Sequence, residues 1–257
     1  MSEPTFRNPL KQRLEAGRAI TMAIVTMPSV AAMQVWARSG IDALCIDMEH
    51  GPIGIESVHA MVAACGGAHG VPIVRVPWNV PWLVKPVLDT GAQGVIVPMI
   101  DSAEDAAAAV RAVRYPPRGE RGWGPFYAHM AWNLPLPRYV ATADDEIFTI
   151  LLIERPEAIR AIDEIVKTPG VDMYVIAPFD LSVIMGYPGQ VTHPEVQAAI
   201  GRAEAAILGS GVPLCGAAFT PEAANRLLEK GYRGLFLGFD WMVLQKAASG
   251  LLDGIDL

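Results

Sequence analysis

Ala43-Leu44-Cys45-Ile46-Asp47-Met48-Glu49-His50 decides the fold: four apolar residues run straight into two acids and a histidine. The same arrangement returns twice. Ile150-Leu151-Leu152-Ile153 stops at Glu154, and Met173-Tyr174-Val175-Ile176-Ala177-Pro178-Phe179 stops at Asp180. A parallel strand covered on both faces reads as a continuous apolar run. A carboxylate is costly there unless it is paired or binds a cation. Acids at the carboxyl ends of several strands therefore point to one shared site at one mouth of an α/β fold, the end where such folds keep their chemistry.

Outward from these runs, strands are expected near 20–26, 42–47, 72–76, 93–98, 147–153, 172–177, 212–218 and 233–238. Helices are expected near 29–39, 55–66, 80–90, 102–113, 156–166, 194–210, 221–230 and 240–250. Pro28-Ser29, Asp101-Ser102 and Thr220-Pro221-Glu222 are helix starts. Gly40, Gly91, Gly211 and Gly231 are helix ends. Eight strands, each followed by a helix, predict a single (β/α)8 TIM barrel over residues 1–257 rather than a doubly wound sheet. The one long irregular stretch, 115–146, is rich in Gly, Pro and aromatics. It is expected to be a functional loop that follows the fourth strand and covers the mouth.

Hydrophobic residues make up 52% of the 257 and charged residues 18%, which suits a large core or a subunit interface. A net charge of −7 without a Lys/Arg stripe argues against nucleic acid. No apolar run reaches the roughly 18 residues that a membrane span needs. The first eight residues lack the basic-then-apolar pattern of a signal peptide, so a cytoplasmic enzyme is expected. Cys45, Cys65 and Cys215 lack zinc-ligand spacing and are expected to be reduced thiols, those at 45 and 215 inside strands.

Glu154 and Asp180 are the metal candidates, because two carboxylates from neighbouring strand ends leave coordination positions for water and substrate. That suits Mg²⁺ or Mn²⁺, with Co²⁺ or Zn²⁺ as alternatives. Each acid can equally cap the helix after its strand, as Asp180 before Leu181-Ser182 would. Arg75 ends the run Pro72-Ile73-Val74-Arg75. There it can fork onto a carboxylate or stabilise a developing enolate oxygen, or form a structural ion pair with Asp47 or Glu49. His50, just past a strand-end acid, is placed to act as a base. Asp89, late in its helix, is a candidate to orient an imidazole. An acceptor pocket is expected from the first strand end, the 118–133 loop and Ala217-Ala218-Phe219, with Trp123, Phe126 and Phe219 as apolar lining. Beyond Arg118 and Arg121 no basic cluster is present to favour a dianionic substrate.

The chain resembles the HpcH/HpaI aldolase family, the metal-dependent class II pyruvate aldolases, from about residue 10 to 250. The motifs are Ile46-Asp47-Met48-Glu49-His50-Gly51-Pro52, Val74-Arg75 with Trp78-Asn79, Val97-Pro98-Met99, and Arg114-Tyr115-Pro116-Pro117 with Arg121-Gly122. Ile153-Glu154, Pro178-Phe179-Asp180-Leu181-Ser182, Met185-Gly186-Tyr187 and His193-Pro194-Glu195-Val196 complete the set. The resemblance implies that Glu154 and Asp180 hold a divalent metal that chelates a pyruvate-like donor. It further implies that Arg75 contacts the keto oxygen, and that His50 and Asp89 hold a catalytic water. The donor carboxylate would lie on the backbone amides around Phe179-Asp180, with Pro178 among the donor-binding residues.

A barrel that exchanges its last helix and assembles as a hexamer, a trimer of dimers, is also implied. The expected reaction is reversible cleavage of 4-hydroxy-2-oxo acids to a 2-oxo acid and an aldehyde. Oxaloacetate decarboxylation, citrate-lyase-like cleavage and non-catalytic 2-oxo-acid binding stand as alternatives. A Schiff-base route is less attractive, since Lys85 and Lys167 fall on helices or loops. Leu152 stands where the family commonly has Gln, Phe179 where it has a small residue, and Ile24 where some members have an aromatic. These departures, with the bulky Trp123, Pro125, Phe126 and Tyr127, open the donor to hydroxypyruvate or another substituted 2-oxo acid.

Overall fold

The computed structural model describes residues 6–255. The N-terminal pattern read at residues 1–5 and the outermost ends of the expected domain, through 256–257, lie outside the described residues. Eight parallel strands close into one barrel in sequence order. They are β1 (Ile20–Val25), β2 (Ala43–Asp47), β3 (Val71–Arg75), β4 (Gly94–Val97), β5 (Phe148–Ile153), β6 (Met173–Ile176), β7 (Leu214–Ala217) and β8 (Gly234–Phe239). The helices are α1 (Pro9–Glu15), α2 (Val30–Trp36), α3 (Ile55–Ala64), α4 (Pro81–Asp89), α5 (Ala103–Val113), α6 (Ala128–Ala131), α7 (Leu136–Glu146), α8 (Pro156–Ile165), α9 (Pro178–Ile184), α10 (Pro194–Ser210), α11 (Pro221–Glu229) and α12 (Asp240–Gly250).

Alternation along each strand divides the core in two. Met22, Cys45, Ile73, Ile96, Ile150 and Val175 fill the barrel interior. Leu44, Ile46, Val74, Val95, Leu151 and Ile153 face the helices. The expected caps are present: the side chains of Ser29, Ser102 and Thr220 accept from the amides of Ala32, Asp105 and Ala223. Gly91 has φ +98°, and a Cβ there would collide with the Cβ of Ala131, so the close of α4 needs glycine.

Four helices depart from expectation. α1 precedes β1 and sends Leu10 into the barrel interior, closing its amino-terminal end. Asn8 fastens α1 by donating its side-chain amide to the carbonyls of Gln93 and Glu146. The 115–146 stretch is not irregular throughout, for it contains α6 and α7. Tyr139 and Ala143 bury one face of α7, and Pro137 is tolerated in its first turn. α9 follows β6 almost directly.

The seam between the first and last strands is fastened by a buried acid. Asp240 accepts from the amides of Thr26 and Met27 at 2.9 and 2.8 Å, and from Thr26 Oγ1 at 2.8 Å. No helix of the described residues is long and apolar enough to cross a membrane.

Candidate active site

β2 and β3 pair with Asp47 opposite Arg75, both at the carboxyl end of the barrel. Arg75 Nε donates to Asp47 Oδ1 at 2.9 Å and Nη2 to Oδ2 at 2.6 Å. Its Nη1 lies 3.2 Å from Glu49 Oε2. The structural ion pair open at the level of sequence is thus present. Burial works against the Arg75 charge, but the bond to Asp47 and the acids around it hold its pKa above the usual arginine value.

Glu154 follows β5 directly and is buried. Its Oε1 accepts from the amide of Met99 at 2.6 Å. Met99 points that amide inward from a left-handed backbone, φ 60°, a conformation uncommon for a non-glycine residue. Burial, then Glu49 and Asp180, push Glu154 up to about 7 against the pull of Met99 and Arg75. Glu49 is pushed up to about 7 as well, by burial first, with Asp47 and Asp180 adding to it. Asp180 lies in the first turn of α9, and the N-cap position belongs to Ala177, so the capping alternative does not hold.

Glu49, Glu154, Asp180 and Arg75 therefore form one electrostatic cluster at the mouth. Their charges fit a divalent cation: buried carboxylates that repel one another hold protons near neutrality unless a cation replaces them. No group of three or more His, Cys, Asp or Glu among the described residues forms a complete metal cage. A two-carboxylate pair leaves oxygen positions for water and substrate, as Mg²⁺-type sites require.

A cavity of about 120 Å³ opens at this mouth. Arg75, Pro178, Phe179, Asp180 and Phe219 line it, above a floor that includes Cys45, Ile96 and Leu152. Burial pushes the Cys45 thiol up to about 12, so it stays protonated. All three cysteines are buried and free.

The structure does not bring together every candidate. The His50 imidazole is 63% exposed, with Nε2 3.9 Å from Glu49 Oε2. Asp89, the last residue of α4, instead takes Arg121 Nη2 on Oδ1 at 2.7 Å. Trp123 packs edge-on against Phe126, centroids 5.3 Å apart, and neither lines the mouth cavity. The loop that carries them lies along α4, with Gly122 beside Lys85 and Gly124 beside Asp89, and does not cover the mouth in this chain. Two contributors went unassigned from sequence. Glu49 figured only as an ion-pair partner, although it stands in the opening motif. Met99 stands in the Val97-Pro98-Met99 motif, but the role of its amide depends on a backbone conformation that the motif does not reveal.

Clustered carboxylates and a forked arginine at the C-terminal mouth of a (β/α)8 barrel define an enzyme-like site at the end where such barrels keep their chemistry. A family profile described as HpcH/HpaI aldolase/citrate lyase matches residues 22–247, and the chain belongs to that family. It is 37% identical over 245 residues to hydroxypyruvate/pyruvate aldolase of Roseovarius nubinhibens, covering 95% of each chain. It is 38% identical over 247 residues to 4-hydroxy-2-oxo-heptane-1,7-dioate aldolase of Escherichia coli, covering 96% of this chain and 94% of that one. An HpcH/HpaI aldolase/citrate lyase family protein from Burkholderia cenocepacia superposes with a TM-score of 0.88 at 34% identity, over 95% of this chain and 98% of its own.

Proposed function

We infer that the protein is a class II pyruvate aldolase. It reversibly cleaves 4-hydroxy-2-oxo acids to pyruvate, or a pyruvate-like donor such as hydroxypyruvate, and an aldehyde. The observation that carries this reading is the convergence of Arg75, Asp180 and Glu154 on one mouth. Glu154 and Asp180 are the proposed holders of a divalent metal, Mg²⁺, Mn²⁺ or Co²⁺, which when bound polarises the 2-oxo group as a Lewis acid.

Arg75 places fixed positive charge where the 2-oxo oxygen becomes negative as the C3–C4 bond breaks. Asp47 and Glu49 hold the guanidinium in that orientation. Pro178 opens α9, so the amides of Phe179 and Asp180 have no partner within the helix and suit the donor carboxylate. His50 takes the 4-hydroxyl proton through water in the cleavage direction, and the exposure of its imidazole supports that access. Asp89 is proposed as the carboxylate partner of that water.

The active form is proposed to be a cytoplasmic homo-oligomer, a hexamer that exchanges α12, with the whole chain as one domain. Only Asp240 of α12 is buried, and Trp241, Val243 and Leu244 are exposed, which supports a partner over this helix.

The test is exchange of the pyruvate and hydroxypyruvate C3 protons in D₂O after chelation, then with each metal restored. Metal-dependent exchange is expected. Its absence with both donors under every metal refutes the reading, and consumption of oxaloacetate alone would favour decarboxylation.

A further inference from the structure

We propose that the aldehyde partner is uncharged and apolar, and that Ile24, Phe219 and Phe239 select it over an aldehyde carrying a carboxylate. The proposal rests on the aldolase reading and names the acceptor class of the same site. The donor acid uses the β3, β5 and β6 side of the mouth, where Arg75, Glu154 and Asp180 stand. The opposite arc is β7, β8 and β1, which are neighbours in the closed barrel. From that arc the cavity is lined by Ile24, Ala217, Phe219, Phe236 and Phe239, without a charged side chain among them.

The aromatic wall is continuous. Phe219 and Phe239, both lining the cavity, have ring centroids 6.4 Å apart. Phe219 remains 44% exposed, leaving ring surface for an apolar group to cover.

Charge points the same way. Arg75 is the one cation among the described residues lining the cavity, and its guanidinium is engaged by Asp47 and Glu49. The developing charge on the 2-oxo oxygen already claims Arg75, that one positive side chain of the mouth. A second carboxylate, on the aldehyde, would lose water beside Phe219 and Phe239 with no side-chain donor to replace it.

In synthesis C3 of the 2-oxo acid gives up a proton and bonds to the aldehyde carbon. The carbonyl π pair moves to oxygen, which takes a proton to become the 4-hydroxyl. Cleavage reverses each step, so the apolar wall contacts only the part of the product beyond C4.

The experiment compares two aldehydes of matched shape, 4-oxobutanoate and 4-methylpentanal, whose isopropyl group replaces the carboxylate. Wild-type enzyme with pyruvate and Mn²⁺ is expected to favour 4-methylpentanal in kcat/KM by about tenfold or more. Phe219→Arg supplies a cation and is expected to shrink that ratio at least tenfold. Equal or better use of 4-oxobutanoate by wild type, with pyruvate C3 exchange intact, overturns the proposal and leaves the aldolase reading standing. Loss of that exchange overturns both. The wild-type ratio decides the matter even if Phe219→Arg fails to fold.

Discussion

Asp47 and Arg75 are register partners on adjacent strands, and the guanidinium forks onto both oxygens of a carboxylate with no solvent exposure. Arg75→Ala would strand that carboxylate in the core. It is expected to cost about 3–5 kcal/mol in urea unfolding. Arg75→Lys keeps a charge but loses the fork, so kcat/KM should fall at least tenfold in a fold that survives. Wild-type kcat/KM in Arg75→Lys would mean that point charge alone suffices.

Glu49 and Glu154, each raised from 4.5 to about 7, make the metal-free protein sensitive to pH. The folded site keeps protons that the unfolded chain releases. Its stability contribution is therefore complete below about 4.5 and is lost as pH rises through 7. Chelated protein should lose roughly 3–5 kcal/mol between pH 5 and 8 from these two groups together. Mn²⁺ should restore the Tm at pH 8, with an affinity that strengthens as protons leave. A Tm that is flat in pH without metal and indifferent to Mn²⁺ would count against the cluster.

His50→Ala should leave stability within about 0.5 kcal/mol, because the imidazole is on the surface. Pyruvate binding should persist, while turnover drops by about 10²–10⁴-fold. Full turnover in this variant would remove His50 from the base role.

Asp89 carries two expectations that a double variant separates. Arg121 is fully buried, so Asp89→Asn should destabilise the fold by about 2–4 kcal/mol. Adding Arg121→Met removes the stranded cation and should recover the Tm. Turnover should stay low if Asp89 also serves the water at His50. Recovery of turnover along with the Tm would make its role structural.

The strands were legible to within a few residues because a doubly covered strand admits almost no polar side chain, as in Phe148–Ile153, buried throughout. The acids that end them were legible for the same reason. Helix α7 was not, because Pro135 and Pro137 bracket its start and the Tyr139 and Ala143 face is short. Arg75 could be placed against Asp47 because neighbouring parallel strands fix which residues end side by side. The Met99 amide could not, since a φ of 60° leaves no mark in composition. Trp123 was assigned to the mouth by its bulk, but bulk says nothing about direction, and its loop follows Asp89 and Lys85 along α4 instead.

The fastening of Thr26 by Asp240 joins residues 214 apart in the chain, and this sets an order of events on the ribosome. β1 is made early, yet the edge it will share with β8 stays open until nearly the whole chain has been translated. An apolar strand with an open edge invites pairing with the wrong neighbour. Nascent chains that stall before residue 234 should therefore be clients for chaperones, and release from that dependence should coincide with emergence of the last strand.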